Sequence, residues 1–372
     1  MSRRRVINGS RGFSLVELMV ALALALITTA GVLGVFVGSR SAAQSTAGTA
    51  AITDGGRFAL DFLQNAVRGA GYMACNTAQR QLSVLNLAAT TLPYSFTEPL
   101  GGFEANGTGI GGAYALGAAP VTPDASTADW VGGLDATMAG VVVQGNDVVV
   151  VRSTLANTQS VYVTSIIDGA DNFTVNTQGG LAVNQVAVIS DCAKSVVMQI
   201  SALAAGANPV IKHDAGGSPG NGVASFPVSF ETGSQVTAVD TIAYYIGKGA
   251  DGDGALFAYD LYDNNGLFSG ASPNPFTAKE LVPDIEAMQV LYGLDTTGTQ
   301  TASEYVTADQ VPDFNSVMSV KIAVLAASPP GAVKPPAAAP TFNLLGTTVT
   351  APIDTRSRQV FDVTIAVRNS VT

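Results

Sequence analysis

A single acid, Glu17, stands between a basic stretch holding Arg3, Arg4, Arg5 and Arg11 and an apolar run, residues 18–39, that meets no charge until Arg40. About 20 apolar residues at 1.5 Å each span the roughly 30 Å of a hydrocarbon core, so this run is long enough to cross one. A carboxylate at the mouth of such a helix costs roughly 2.5–3.5 kcal/mol on insertion scales, which marks Glu17 as a functional position by default. The same letters allow a plainer reading. Ser14-x-x-Glu17 spells a capping box, and a negative charge on the first turn complements the helix dipole, so an ordinary anchor helix would also keep this acid.

Other chemistry-like patterns fail on mechanism. Gly216-Gly217-Ser218-Pro219-Gly220 matches a nucleophile elbow, with His213 and Asp214 nearby. That elbow needs the backbone N–H after the serine for its oxyanion hole, and Pro219 has none. Gly107-x-Gly109-x-x-Gly112 matches a dinucleotide fingerprint but has no strand before it and no helical pattern after it. One histidine and two distant cysteines do not make the usual zinc sets. Asp251-Gly252-Asp253-Gly254 hints at calcium, yet Ala255 and Leu256 stand where an EF-hand needs its next ligand and its glycine; a hairpin turn explains the same letters. The expectation is a chain with no catalytic residue, no cofactor and no metal.

These residues need elements to hold them. The arginines before the span and the lack of such a cluster after it leave the N-terminus in the cytoplasm and export the rest. The apolar run is too long, and its end too poor in small-residue cleavage signals, for a secretory signal peptide. Few charged residues (12%) amid abundant Gly, Ala, Thr and Val suit a β-rich exported protein. A net charge of −10 with scattered basic residues argues against a nucleic-acid groove. Cys75 and Cys192 both lie in the exported part, where an oxidising compartment permits a disulfide between them; two buried thiols are the alternative.

Helical periodicity resumes after the span. Phe58, Phe62 and Ala66 recur at i+4 beside Ala59, Leu63 and Val67, which reads as one broad apolar face. One helix is expected from Phe13 to about Arg68, stopped by Gly69 and Gly71, with bends or close packing at Gly31, Gly34, Gly38 and Gly55-Gly56. Strands follow at 147–153, 160–167, 185–190, 241–246, 255–262, 285–292, 317–325 and 360–367. In the last two, Val320, Ile322 and Val324 share one face, and Phe361, Val363, Ile365 and Val367 share another, as in antiparallel sheets with one wet face. Residues 98–140, 201–238 and 327–341 read as loop insertions.

The opening, a basic leader ending in Gly12, then Phe13, then Glu17 and an apolar helix, resembles the type IV prepilin signal. Phe58-Ala59-Leu60-Asp61, Gly71-Tyr72, Ser190-Asp191-Cys192, Tyr244-Tyr245-Ile246-Gly247, Leu281 to Glu286, Tyr292-Gly293-Leu294-Asp295, Tyr305-Val306 and Val367-Arg368-Asn369 look like the PilW family of minor pilins. The likeness is poorest over 98–140 and 201–238. It implies an α+β, pilin-like fold: a leader over 1–12, a long helix over 13–71 that spans a membrane at about 18–38 and is amphipathic above it, and a β-rich head of antiparallel sheet over 72–372. It also implies that a prepilin peptidase cuts between Gly12 and Phe13 and methylates Phe13. Glu17 would then pair with the amine of a neighbouring subunit, each charge relieving the other in low dielectric.

The implied role is a non-enzymatic minor pilin that primes or joins a type IV pilus near its tip. Its partners would be other minor pilins, the major pilin and a tip adhesin, and its place the inner membrane with a periplasmic head. A type II secretion pseudopilin shares the signal, helix and head. An adhesin or DNA-uptake receptor is the third reading. Intact mass and N-terminal sequencing check the first step: with an active prepilin peptidase the chain begins at methylated Phe13, and without it the leader stays.

Overall fold

The computed structural model describes residues 14–77, 81–86, 92–155, 161–167, 172–217, 219–261, 277–299 and 301–367. One helix, α1, runs unbroken from Leu15 to Gly69. It continues through Gly31, Gly34 and Gly38, and a Cβ at any of the three would meet open space. Ala70 caps it with an N–H to Val67 O, and Gly71, at φ +71, turns the chain so that its N–H reaches Arg152 O at 2.8 Å.

The seat of α1 is an antiparallel four-stranded sheet in the order 304–306, 285–294, 317–327, 358–366. Ile52, Ala59, Leu63 and Val67 of the helix bury against Met288, Val290, Val320, Ile322, Val324 and Ile365. The alternation read from the sequence therefore puts Val320, Ile322 and Val324 beneath the helix. The opposite face is dry as well: Ala323 and Leu325 pack on Leu344 and Val349 of the hairpin Thr341–Thr350. Only the closing strand, Arg358–Ala366, keeps an exposed outer face at Asp362, Thr364 and Ala366.

The apolar face of the upper helix lies elsewhere than its large residues suggest. Its buried line is Gly48, Ile52, Gly56, Ala59, Leu63 and Val67, whereas Phe58 and Phe62 are 61% and 44% exposed. At Gly48 and Gly56 the helix comes too close to its neighbours for any side chain, while Ile52, Leu63 and Val67 of the same line fill the space between. A Cβ on Gly48 would stand 2.6 Å from Ala332 Cβ, and one on Gly56 would enter the Phe361 ring. Phe58 and Phe62 instead line an apolar groove with Ala51, Gly55 and the turn Leu281–Asp284.

Among the described residues a second sheet of twelve strands makes up most of the rest of the head, beside small sheets of three and two strands. Its long strand Gln235–Lys248 serves two lobes: 235–238 pairs with Val186–Ser190, and 239–248 pairs with Val148–Thr154 and Gly254–Asp260. Not all pairing is antiparallel, since Ser195–Gln199 runs parallel to Gln81–Ser83, and Thr347–Thr350 parallel to Ala113–Ala115. Segments read as loops carry structure. Within 98–140 lies the strand Leu100–Phe103, and Trp130, Leu134 and Met138 form a core with Val148, Val150 and Tyr245. Within 201–238, the paired strands Ala202–Ala204 and Val210–Lys212 bury Ile211. Residues 328–340 contain no strand, and Ala332 and Ser328 lie against Gly48.

Gly56→Ala is expected to destabilise the full chain in detergent by about 1–3 kcal/mol, the usual cost of overpacking. Gly55→Ala, whose Cβ would meet Val282 at an ordinary 3.8 Å, should stabilise by up to about 1 kcal/mol through helix propensity. Thermal unfolding of the two variants separates close approach from mere glycine content.

Candidate functional site

At its N-terminus α1 starts with Ser14 as the cap. Glu17 N–H donates to Ser14 Oγ at 3.2 Å, and Ser14 N–H reaches Glu17 Oε2 at 3.5 Å, so the capping box forms. Gly12 and Phe13 lie outside the described residues. Above Glu17, every large apolar side chain from Leu18 to Val37 is exposed. Thr28 and Thr29, the hydroxyls in the middle of this run, both donate to Ala25 O at 2.9 and 2.7 Å. A helix with its backbone and hydroxyls satisfied internally and its apolar side chains unpartnered is suited to lipid or to other helices.

The other half of α1 joins a head held by buried polar groups. Asn146 and Asp147 stitch the two sheets together: Asn146 Oδ1 accepts from Met288 N, and the Asp147 oxygens accept from Ala105 N at 3.1 Å and Val290 N at 2.8 Å. Glu104, 3% exposed, lies beside Asp147. Glu104 Oε1 accepts from Thr108 Oγ1 at 3.3 Å, and two buried carboxyls side by side disfavour each other's charge. Burial, and then the charge of Asp309, push Glu104 up to about 7; burial also raises Asp147. Tyr292 above them donates to Gly101 O. Arg152, 1% exposed, donates to the carbonyls of Glu98, Leu100 and Leu92, and burial lowers it to about 10. Sequence reasoning passed over these residues. Their signal was a polar Gln144-Gly145-Asn146-Asp147 against the apolar Val148–Val151.

A cluster of ion pairs braces the rim near the helix. Arg356 pairs with Asp253 and Asp284, and Arg358 with Glu286 and Asp354. Carboxylates of Asp251, Asp253 and Asp284 converge, but the Arg356 guanidinium sits on two of them and supplies the positive charge. Asp251–Gly254 itself is the turn between two hairpin strands, with Gly249 N–H on Asp253 O at 2.8 Å.

Cys75 and Cys192 are joined, with Cα atoms 4.7 Å apart. The bond ties the chain just past α1 to the turn after Val186–Ser190. The remaining patterns stay apart from chemistry. His213 is 1% exposed and stacks on Phe226 at 3.9 Å, Asp214 bonds Ser201, and Ser218 lies outside the described residues. In the glycine-rich segment, Gly111 and Gly112 donate to the carbonyls of Gly346 and Gly109. Those N–H groups are taken, so they make no phosphate cradle.

A long N-terminal helix, bare and apolar for half its length, is seated by the other half on a β-rich head, the arrangement that the resemblance to type IV pilins implies. Residues 7–33 match the prokaryotic N-terminal methylation motif, and residues 243–369 match the type IV pilus-assembly protein W family, PilW. Two separate segments of the chain are thus similar to a prepilin-type signal and to the PilW family. The PilW match begins inside the strand Gln235–Lys248 and takes in the whole sheet on which α1 sits. Among solved structures, a type IV-like pilin from Thermus thermophilus is 16% identical with a TM-score of 0.19, covering 51% of this chain and 86% of that one. No curated protein matches.

The raised Glu104 sets the sign of a pH effect. Between the usual carboxylate range and about 7, the folded head holds a proton that an unfolded chain has released. Stability is therefore full in mild acid and falls as pH rises through that window, by up to about 3 kcal/mol. Glu104→Gln should flatten most of this decline; melting temperatures at pH 5 and pH 8 check it.

Proposed function

We propose that this chain is a minor pilin that takes part in assembling and priming a type IV pilus, at or near its tip, after prepilin peptidase removes residues 1–12. One observation carries the reading: the methylation-motif segment runs directly into an exposed apolar helix, and that helix is seated on the PilW-type sheet. The helix would anchor the chain in the inner membrane with its N-terminus in the cytoplasm and its head in the periplasm, as the arginine distribution favours. There it would bundle with the helices of other minor pilins and the major pilin. The tip position rests on the PilW likeness.

In this reading Glu17 has two successive partners. Its capping contact is long and exposed, so it gives way readily to a charged amine on a neighbouring helix, where the low dielectric strengthens the pair. The peptidase creates such an amine on each subunit by cutting before Phe13.

Deleting the gene is expected to remove surface pili and twitching, and the wild-type gene to restore both. Glu17→Ala should leave protein level and disulfide unchanged and fail to restore piliation, as counted by electron microscopy. Retained pili with failed protein secretion would instead indicate a pseudopilin; normal pili with lost attachment or DNA uptake would indicate a receptor.

A further inference from the structure

The closing strand Arg358–Ala366 is the margin of the four-stranded sheet on which α1 sits. It pairs with Val317–Ala327 over nine residues without a bulge, and it contains no proline. Natural sheets blunt their edges with short strands, bulges, prolines or covering elements, because an open row of N–H and C=O groups is a template for another strand. The rest of this head follows that rule. Among the described residues, every other strand at a sheet margin is short, from Gln81–Ser83 and Ala202–Ala204 to Thr277–Val282 at the longest.

The ladder shows which groups are open. Val367 N–H donates to Met318 O directly opposite, so by antiparallel alternation Ile365, Val363, Phe361 and Gln359 bond inward to the same neighbour. Val360, Asp362, Thr364 and Ala366 therefore turn their backbone groups outward, and none of these has a partner among the described residues. The hairpin Thr341–Thr350 covers the outer face only as far as Val360, which packs by Leu344 and Phe342. Asp362 is exposed and makes no ion pair among the described residues.

We propose that this edge accepts an extended segment of a different polypeptide, carrying a basic residue opposite Asp362, as an added strand of the sheet. Main-chain bonds would supply the affinity and the Asp362 contact the choice of partner. A second copy of this chain fits badly in both arrangements. Antiparallel pairing of two such edges sets the two α1 helices antiparallel, which is impossible for two helices rooted in one membrane; this exclusion rests on the anchored-pilin reading. Head-to-tail pairing fails independently, since the opposite margin of the same sheet is only Glu304–Val306.

The test uses the full chain in detergent and two synthetic nonapeptides of alternating Thr and Val, one with Lys at its centre and one with Glu. Amide hydrogen exchange of Asp362, Thr364 and Ala366 is fast in the chain alone and slows with the Lys peptide. The Glu peptide needs about fivefold more for the same effect, the scale of one cross-strand charge reversal. Asp362→Pro removes an outward N–H together with the carboxylate and leaves the inward bonds, so Phe361 and Val363 stay protected while the peptide effect disappears. Thr364→Lys, which keeps its N–H, retains it.

No slowing at saturating peptide, equal slowing by both peptides, or protection already present in the free chain overturns the proposal. Slowing that grows with protein concentration alone overturns the different partner in favour of a second copy. The pilus assignment stands or falls separately, on the deletion experiment.

Discussion

The fold depends on how closely α1 can lie on its sheet. A helix that serves two environments needs two surfaces, and the sequence divides them by residue size rather than by polarity. Below, bulky Leu, Val and Phe side chains radiate from the rod and touch nothing in the head. Above, Gly48 and Gly56 interrupt a seated line of Ile52, Ala59, Leu63 and Val67, and at those two points the backbone comes within reach of Ala332 and Phe361. The four-stranded sheet is then roofed by backbone as much as by side chains. Interiors pack at crystal-like density, so a single methyl at Gly56 has nowhere to go.

The second constraint is polar. Two sheets meet where Asn146, Asp147 and Glu104 bind backbone groups that neither sheet satisfies by itself. Such groups are costly if left unpaired and specify one arrangement when paired. Arg152 does the same for the carbonyls of 92–100, and Gly71 hangs the end of α1 on Arg152 O. Helix, small-stranded lobe and main sheet are thus fixed relative to one another by few residues, all buried.

Much of this was legible in the sequence, for physical reasons that differ by segment. The helix was plain because its apolar run and Ser14-Glu17 cap are local signals. Strands such as Val317–Ala327 and Arg358–Ala366 were plain because alternation survives wherever one face is buried. The seated face of the helix was read too broadly: Ala59, Leu63 and Val67 do pack on the sheet, but hydrophobic periodicity also counts Phe58 and Phe62 and gives no credit to Gly48 and Gly56, whose value is the contact they allow. The segments 98–140 and 201–238 were read as loops because their strands are three or four residues long and their cores are assembled from distant partners, such as Trp130 with Tyr245. Asp147 and Glu104 were invisible for the same reason: a lone acid acquires meaning only from the backbone groups brought to it.

The disulfide sets a load path. A pull along α1 loads its seat on the sheet first and then the chain at Gly71, and six residues from the end of the helix the chain is already bonded to Cys192, which is 117 positions further on. Tension arriving there passes across the sulfur bridge into the strand Ser195–Gln199 and by-passes the intervening chain. Drawn out straight, that chain would give roughly 400 Å of slack. The bridge denies that slack to the pull, so the lobe between the two cysteines can lose its packing without paying out as thread, and a chain dragged by its helix keeps its length.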